Sequence, residues 1–124
     1  MHWHFRSDLP IYTQLIDQIT RAILSGTYAP GERLPAVRDL AAQAGVNPNT
    51  MQRAMAQLES TGLIFAQRTA GRFVTEDTAV IAAARSDLAQ QRISEFLHAM
   101  EALGYDNAQV RQLLLNPQEK EESK

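Results

Sequence analysis

Mainly α with one small β-hairpin is the fold class that three observations in this sequence predict. Between Leu34 and Ser60 two helical periodicities are separated by a short turn at Gly45-Val46. An apolar strand, a small turn and a second strand follow, from Leu63 to Thr75. Beyond Thr75 the pattern returns to helix, first in a long run and then in a short one. Helix, turn, helix, hairpin is the plan of a winged helix-turn-helix, here followed by a two-helix C-terminal segment. The expected division is 1–75 for the winged helix-turn-helix, 76–117 for a helical hairpin and 118–124 for a flexible charged tail.

The chain opens on His2-Trp3-His4-Phe5. Two histidines two apart suit one side of an extended segment, but no third metal ligand lies near them in sequence. Trp3 and Phe5 read instead as apolar anchors that tie the arm to the domain or to a partner subunit. Pro10 opens the first helix, which reaches about Ser25 and carries Ile11, Leu15, Ile16, Ile19, Ile23 and Leu24 on one face, with Tyr12 at its edge. Gly26 stops it. Tyr28 to Gly31 reads as a turn, and Leu34 as the start of a very short strand that adds to the hairpin.

The next helix runs from about Ala36 to Gln43, with Val37, Leu40, Ala41 and Ala44 on its apolar face and Gly45 ending it. Asn47 is a good N-cap, and Pro48 follows at the first helical position, where its missing N–H costs nothing. The third helix then reaches about Ser60. Met51, Ala54, Met55 and Leu58 face inward, which leaves Asn49, Gln52, Arg53 and Ala56 outward and Thr50 in the first turn. Gly62 ends it, Leu63 to Gln67 is a strand, Thr69-Ala70-Gly71 the turn and Arg72 to Thr75 the return.

Asp77 or Thr78 caps a long helix through about Leu103. Its apolar residues form two slightly rotated sets, one around Val80, Ile81, Ala84 and Leu88, the other around Ile93, Phe96, Leu97, Met100 and Leu103. Asp106 with Gln109 reads as a capping box for a short helix with Val110, Leu113 and Leu114 inward, stopped at Asn116-Pro117. An isolated two-helix appendage would leave much of this apolar surface wet. A homodimer is therefore expected, formed through Ile81, Leu88, Phe96, Leu97, Met100, Leu113 and Leu114. The alternative is a monomer whose helices fold back over the winged helix.

Composition narrows the function. With 124 residues and no cysteine, the chain has room for one small domain plus an appendage and excludes a disulfide framework or thiolate metal site. It carries no apolar run near the roughly 20 residues of a membrane span and no apolar signal segment, so a cytoplasmic protein is expected. Net charge is −2, but it divides unevenly: residues 1–75 hold seven Arg against five acidic residues, and residues 76–124 hold five basic against nine acidic. A modestly basic half joined to an acidic one suits DNA on one side and protein or solvent on the other. Ser25, Ser60 and Ser86 have no histidine nearby, and all six glycines fall at element boundaries rather than in a phosphate loop. No enzyme, no catalytic residue, no metal and no cofactor is expected.

The outward face of the third helix is short and polar. Asn49, Gln52 and Arg53 suit base edges in a major groove, and Thr50 with the helix N-terminus suits a phosphate. Arg38 is placed for backbone contact, and Arg68 and Arg72 flank the wing turn, ready for phosphate or the minor groove. The plain alternative is a set of solvated arginines on a small helical domain.

Here a resemblance enters. From about Leu9 to Val74, and most clearly in LPAVRDLA (34–41), the chain resembles the DNA-binding domain of the GntR family of bacterial transcriptional regulators. The resemblance implies that Arg38 contacts the DNA backbone, that Asn47, Asn49, Thr50 and Arg53 lie at or near the groove, and that Gly71 sits at a wing approaching the minor groove. Many relatives carry basic residues where this chain has Pro48 and Gln52, which weakens non-specific attraction while leaving Gln52 able to read adenine. The wing, Thr69-Ala70-Gly71-Arg72, is also poorer in Gly and Arg than in many relatives. VNPNTMQRA looks like the short YtrA-type branch, whose C-terminal helices dimerise and whose members control membrane transporter genes.

The function so expected is a dimeric DNA-binding regulator, a repressor of a transporter-type operon, reading an inverted repeat in double-stranded DNA. The competing reading is a winged-helix protein-interaction module with only non-specific DNA affinity, favoured by Pro48, Gln52 and the thin positive charge. A small-molecule effector is left open. Its expected place is between the long helix and the winged helix, with Tyr105, Arg92 and His98 as candidate lining.

Overall fold

The computed structural model describes residues 1–116, so the expected stop at Pro117 and the charged tail lie outside the described residues. The elements are α1 (Ile11–Leu24), α2 (Val37–Ala44), α3 (Pro48–Ser60), β1 (Ile64–Gln67), β2 (Gly71–Val74), α4 (Thr78–Ala102) and α5 (Asn107–Leu115). The mainly α class with one antiparallel hairpin and two C-terminal helices is as the sequence predicts. Two compact units result, Met1–Arg85 and a second beginning at Ser86.

The core of the first unit follows from helical spacing. Leu15, Ile19 and Ile23 of α1, Leu40 of α2 and Met51, Met55 and Leu58 of α3 are fully buried, and α3 packs on α1, α2 and β1. Each such side chain contributes about 1.5–3 kcal/mol of transfer free energy. Ile64 and Val74 pair across the hairpin and close the same core from below, in the register Ile64↔Val74, Phe65↔Phe73, Ala66↔Arg72, Gln67↔Gly71. The short strand expected near Leu34 is present as a single bridge between Arg33 and Phe73.

Local chemistry sets the boundaries. Gly45 takes φ +72, the left-handed conformation that ends α2, while the Val46 amide bonds back to the Ala41 carbonyl. Asn47 Oδ1 accepts from the Asn49 amide at 2.7 Å, with Pro48 at the first helical position. Asp77 Oδ1 accepts from the Ala79 amide at the start of α4. Asp106 and Gln109 form the expected capping box on α5.

Four expectations shift. Ile11 is 38% exposed, because it sits in the first turn where the chain enters α1. The turn is one residue earlier than expected: Gly71 already pairs with Gln67 as the first residue of β2, and Thr69 carries the positive φ of the turn. Ile81 is buried within the first unit, because the opening turns of α4 belong to that unit and Arg85 Nε and Nη2 both donate to the Leu24 carbonyl at the end of α1. Leu113 and Leu114, expected inward on α5, are 42% and 64% exposed, and Val110 alone is buried there.

The N-terminal arm is held by two glutamines of α1. Gln18 Oε1 accepts from the His4 amide and its Nε2 donates to the His4 carbonyl, at 3.1 and 2.6 Å. Gln14 does the same for Arg6, at 2.7 and 2.8 Å, and also donates to the Leu9 carbonyl. The two amides stand in for a neighbouring strand. They let the arm lay Trp3 and Phe5, stacked with centroids 6.0 Å apart, as anchors on this unit.

Gln18→Ala should therefore release the arm at a cost of about 1–2 kcal/mol. Emission from Trp3, the sole tryptophan, should shift to the red and quench more readily in the folded variant; unchanged emission would mean the clasp does not hold the arm. A second test concerns Tyr28, whose phenol is raised above its ordinary value of 10.0 by burial and then by the nearby Glu32. The neutral phenol belongs to the folded state, so this contribution is intact below the ordinary value and fades as pH climbs through the raised one. Thermal melts at increasingly alkaline pH should fall less steeply for Tyr28→Phe than for the parent.

Candidate nucleic-acid interface

The expected reading surface is a consequence of α3 burying one stripe. Met51, Ala54, Met55 and Leu58 are wholly inside, so the opposite face presents Asn49, Gln52, Arg53 and Ala56, all exposed, with Thr50 half-buried in the first turn. Asn47 is also exposed, but its carbonyl oxygen is occupied by the cap. Its side-chain NH2 alone remains for a ligand. The first turn of α3 is free of acidic residues, leaving its amide dipoles uncompensated toward an anion.

Arg53 is oriented by a partner from another helix. Its Cζ lies 4.5 Å from the ring centroid of Tyr12 on α1. A guanidinium held over a ring through cation–π attraction still has N–H groups to offer, as a paired contact to guanine needs. Arg38 is exposed on α2, and Arg68 is exposed in the turn between β1 and β2.

Arg72 is different. In the hairpin it sits opposite Ala66 and two residues from Val74, so alternation turns its side chain toward the core face. There its Nε is hydrogen-bonded to Glu59 Oε2 at the end of α3, with both side chains less than one-third exposed. The pair clamps the wing to the reading helix. Glu59, in the last turn of α3, is half of that clamp.

The residue that sequence reasoning missed is Arg33. It bridges to Phe73, and its guanidinium lies against the Cα of Gly71, so close that a Cβ there would sit 3.1 Å from Nε. The available signal was the short strand itself: with Leu34 inward, alternation puts Arg33 outward.

In the second unit, Ile93 and Phe96 are 56% and 42% exposed, and Leu88, Leu97 and Met100 are half-buried. Of the three residues named for an effector site, His98 and Tyr105 line an open groove of about 540 Å³ together with Ile93, Leu97 and Glu101. Arg92 is not among its walls and pairs with Glu95 at 3.5 Å. No helix among the described residues is long and apolar enough to cross a membrane.

Comparison with known proteins agrees with this geometry. The family described as "Bacterial regulatory proteins, gntR family" matches residues 11–74. The HTH-type transcriptional repressor YtrA of Bacillus subtilis is 42% identical over 72 residues, 58% of this chain and 55% of that protein. A GntR family transcriptional regulator from Listeria monocytogenes superposes with a TM-score of 0.85 at 37% identity, over 90% of this chain and 98% of that one. The DNA-binding domain of AraR, solved in complex with operator ORX1, superposes with a TM-score of 0.55 at 29% identity, over 60% of this chain and 96% of its own.

The clamp between Arg72 and Glu59 makes a separable prediction. Arg72→Gln should lower stability by about 1–3 kcal/mol, since it strands a half-buried carboxylate. Adding Glu59→Gln should cost much less than a second independent loss. Additive losses in chemical denaturation would show that the two residues act separately.

Proposed function

As the chain belongs to the GntR family of bacterial regulatory proteins and is a DNA-binding transcriptional regulator rather than an enzyme, we propose that it is a dimeric repressor reading an inverted repeat. The observation that carries this reading is the exposed face of α3, where Asn49, Gln52 and Arg53 stand together behind the Asn47 cap. In it Gln52, Arg53 and Asn49 read base edges in the major groove, and Thr50 with the amides of the first turn holds a phosphate. Asn47 donates through its free NH2. Arg38 grips the backbone beside them, and Arg68 does so at the wing. Gly71 keeps the wing narrow, and Arg72 acts through Glu59 by setting the wing against α3.

The AraR domain, solved on its operator, supports DNA as the partner. Similarity to the repressor YtrA supports repression, and a transporter-type operon as target is what the resemblance to the short branch implies. Dimerisation draws on the apolar surface of the second unit: Phe96, Leu97 and Met100 on α4, with Leu113 and Leu114 on α5, and Leu88 at the margin. Ile81 contributes from behind, by fixing the opening of α4 to the first unit. Two reading helices on a twofold axis match a palindrome, and the second contact gains from its high effective concentration.

Selection of bound genomic fragments with the purified protein, followed by anisotropy titration of the best one, tests the reading. An inverted repeat should emerge, bound at least ~10³-fold more tightly than scrambled DNA. Arg53→Ala should cost about 1–3 kcal/mol and relax discrimination at one base position, whereas Arg38→Ala should weaken all sequences alike. Equal affinity for every fragment would sink specific recognition. Sedimentation should show a dimer that Phe96→Glu converts to monomer.

A further inference from the structure

We propose that Arg33 is a phosphate-gripping residue of the wing, seated on Gly71 and aimed at the hairpin turn. This rests on the reading of the chain as a DNA-binding regulator, and it assigns to the strand stub before α2 a contact that the wing sequence itself does not supply.

The geometry begins with the main chain. The Leu34 amide donates to the Arg72 carbonyl at 2.8 Å and the Val74 amide donates to the Glu32 carbonyl at 2.9 Å, the two bonds that flank the Arg33–Phe73 bridge. Residues 32–34 are thus a third, minimal strand along the free edge of β2. Alternation divides their side chains. Leu34 is 3% exposed and joins Ile64 and Val74 in the core, whereas Arg33 shares the outer face with Phe73 and with Phe65, which stacks on Phe73 at 5.8 Å.

From that position the side chain runs toward the tip. Gly71 lies two residues beyond Phe73 on the way to the turn, on the same face. A Cβ built on it would fall 3.1 Å from Arg33 Nε and 3.5 Å from Nη2. The guanidinium therefore lies over the first residue of β2, beside the turn that carries Arg68. Gly71 has two duties here: it accepts φ +107, and it leaves open the space that Arg33 fills.

Nothing among the described residues consumes this charge. Among the described residues Arg33 forms no ion pair, while its neighbour Glu32 accepts from the Ala29 amide at 2.7 Å. Arg72, the cation that the wing sequence offers, is held by Glu59 on the inner face. The wing's open cations are Arg33 and Arg68. A planar guanidinium seated along one face of the wing suits the paired oxygens of a phosphate better than a mobile ammonium does.

Anisotropy titrations across a salt series test this, on a random-sequence duplex and on the fragment recovered by selection. For Arg33→Gln the expected result is about a tenfold loss on both duplexes, with the slope of log K against log salt reduced by about one per protomer. Preference for the selected fragment should be kept. Arg33→Lys should restore most of the slope, because it returns the charge. Gly71→Ala should lower the slope in the parent but add nothing to it in the Arg33→Gln background, since its effect on charge runs through the displaced arginine. The bridge is made by main-chain atoms, so melting temperature should be unchanged in Arg33→Gln. If Arg33→Gln binds both duplexes with the parent's slope while Arg53→Ala still loses the selected fragment, Arg33 is no contact and the regulator reading stands. If the parent itself shows no preference among fragments and no salt dependence, both fall together.

Discussion

Everything at the reading surface depends on one constraint, that α3 must bury Met51, Ala54, Met55 and Leu58 completely. These four residues define a stripe at helical spacing, and the stripe fixes the rotation of the helix about its axis. A rotation by one residue would tilt a methionine into water and push Arg53 or Gln52 toward the core, at a cost of several kcal/mol for the buried charge alone. The outward display of Asn49, Gln52 and Arg53 is thus enforced by packing energy. Translation along the axis is fixed as well, because Asn47 and Pro48 start the helix at one residue and no other.

Around this helix, polar side chains carry out the long-range joining that apolar contacts leave loose. Tyr12 orients Arg53 from α1, Glu59 ties α3 to the wing through Arg72, and Arg85 ties α4 to the end of α1 through the Leu24 carbonyl. Gln14 and Gln18 bind the arm by supplying the donors and acceptors that a neighbouring strand would offer. Each contact is directional, and each links elements distant in sequence. Their common effect is to make α3, the wing and the root of α4 move as one body.

The contrast between what the sequence makes legible and what it hides follows from range. Caps, breaks and the buried stripe are local: Asn47-Pro48, Gly45, Gly62 and the Asp106–Gln109 box act within a few residues, and so they are visible in the sequence. The face of α3 is legible for the same reason. Arg72 is hidden because its fate depends on strand register, which brings Glu59 from 13 residues away to the inner side of the hairpin. Buried Gln14 and Gln18 defy a reading by polarity, since their partners are main-chain groups of an arm with no strand signal of its own. The two-set pattern on α4 is legible as apolar, but a periodicity does not say whether the covering surface comes from the same unit. Ile81 and Phe96 look alike in sequence, yet one is buried in the first unit and the other is 42% exposed.

The thin positive charge of the first 75 residues, seven arginines against five acidic residues, looks like an argument against DNA. Pairing changes its meaning. Asp8 is held by Arg6, Asp17 by Arg21 and Glu59 by Arg72, and Glu32 is turned onto the Ala29 amide. Those pairs are close dipoles whose fields cancel within a few ångströms, so they add little at the distance of a phosphate. What remains is Arg33, Arg38, Arg53 and Arg68 against Glu32 and Asp39. Four arginines displace few counterions, so electrostatic attraction alone supplies modest affinity and a shallow salt dependence. Such a protein has little non-specific affinity to overcome. In the proposed dimer, discrimination between sequences then rests on the base edges met by Asn49, Gln52 and Arg53, counted twice across the twofold axis. Uncharged Pro48 and Gln52 on the same helix work in the same direction, lowering the background against which an operator must be recognised while Gln52 keeps a means of recognising it.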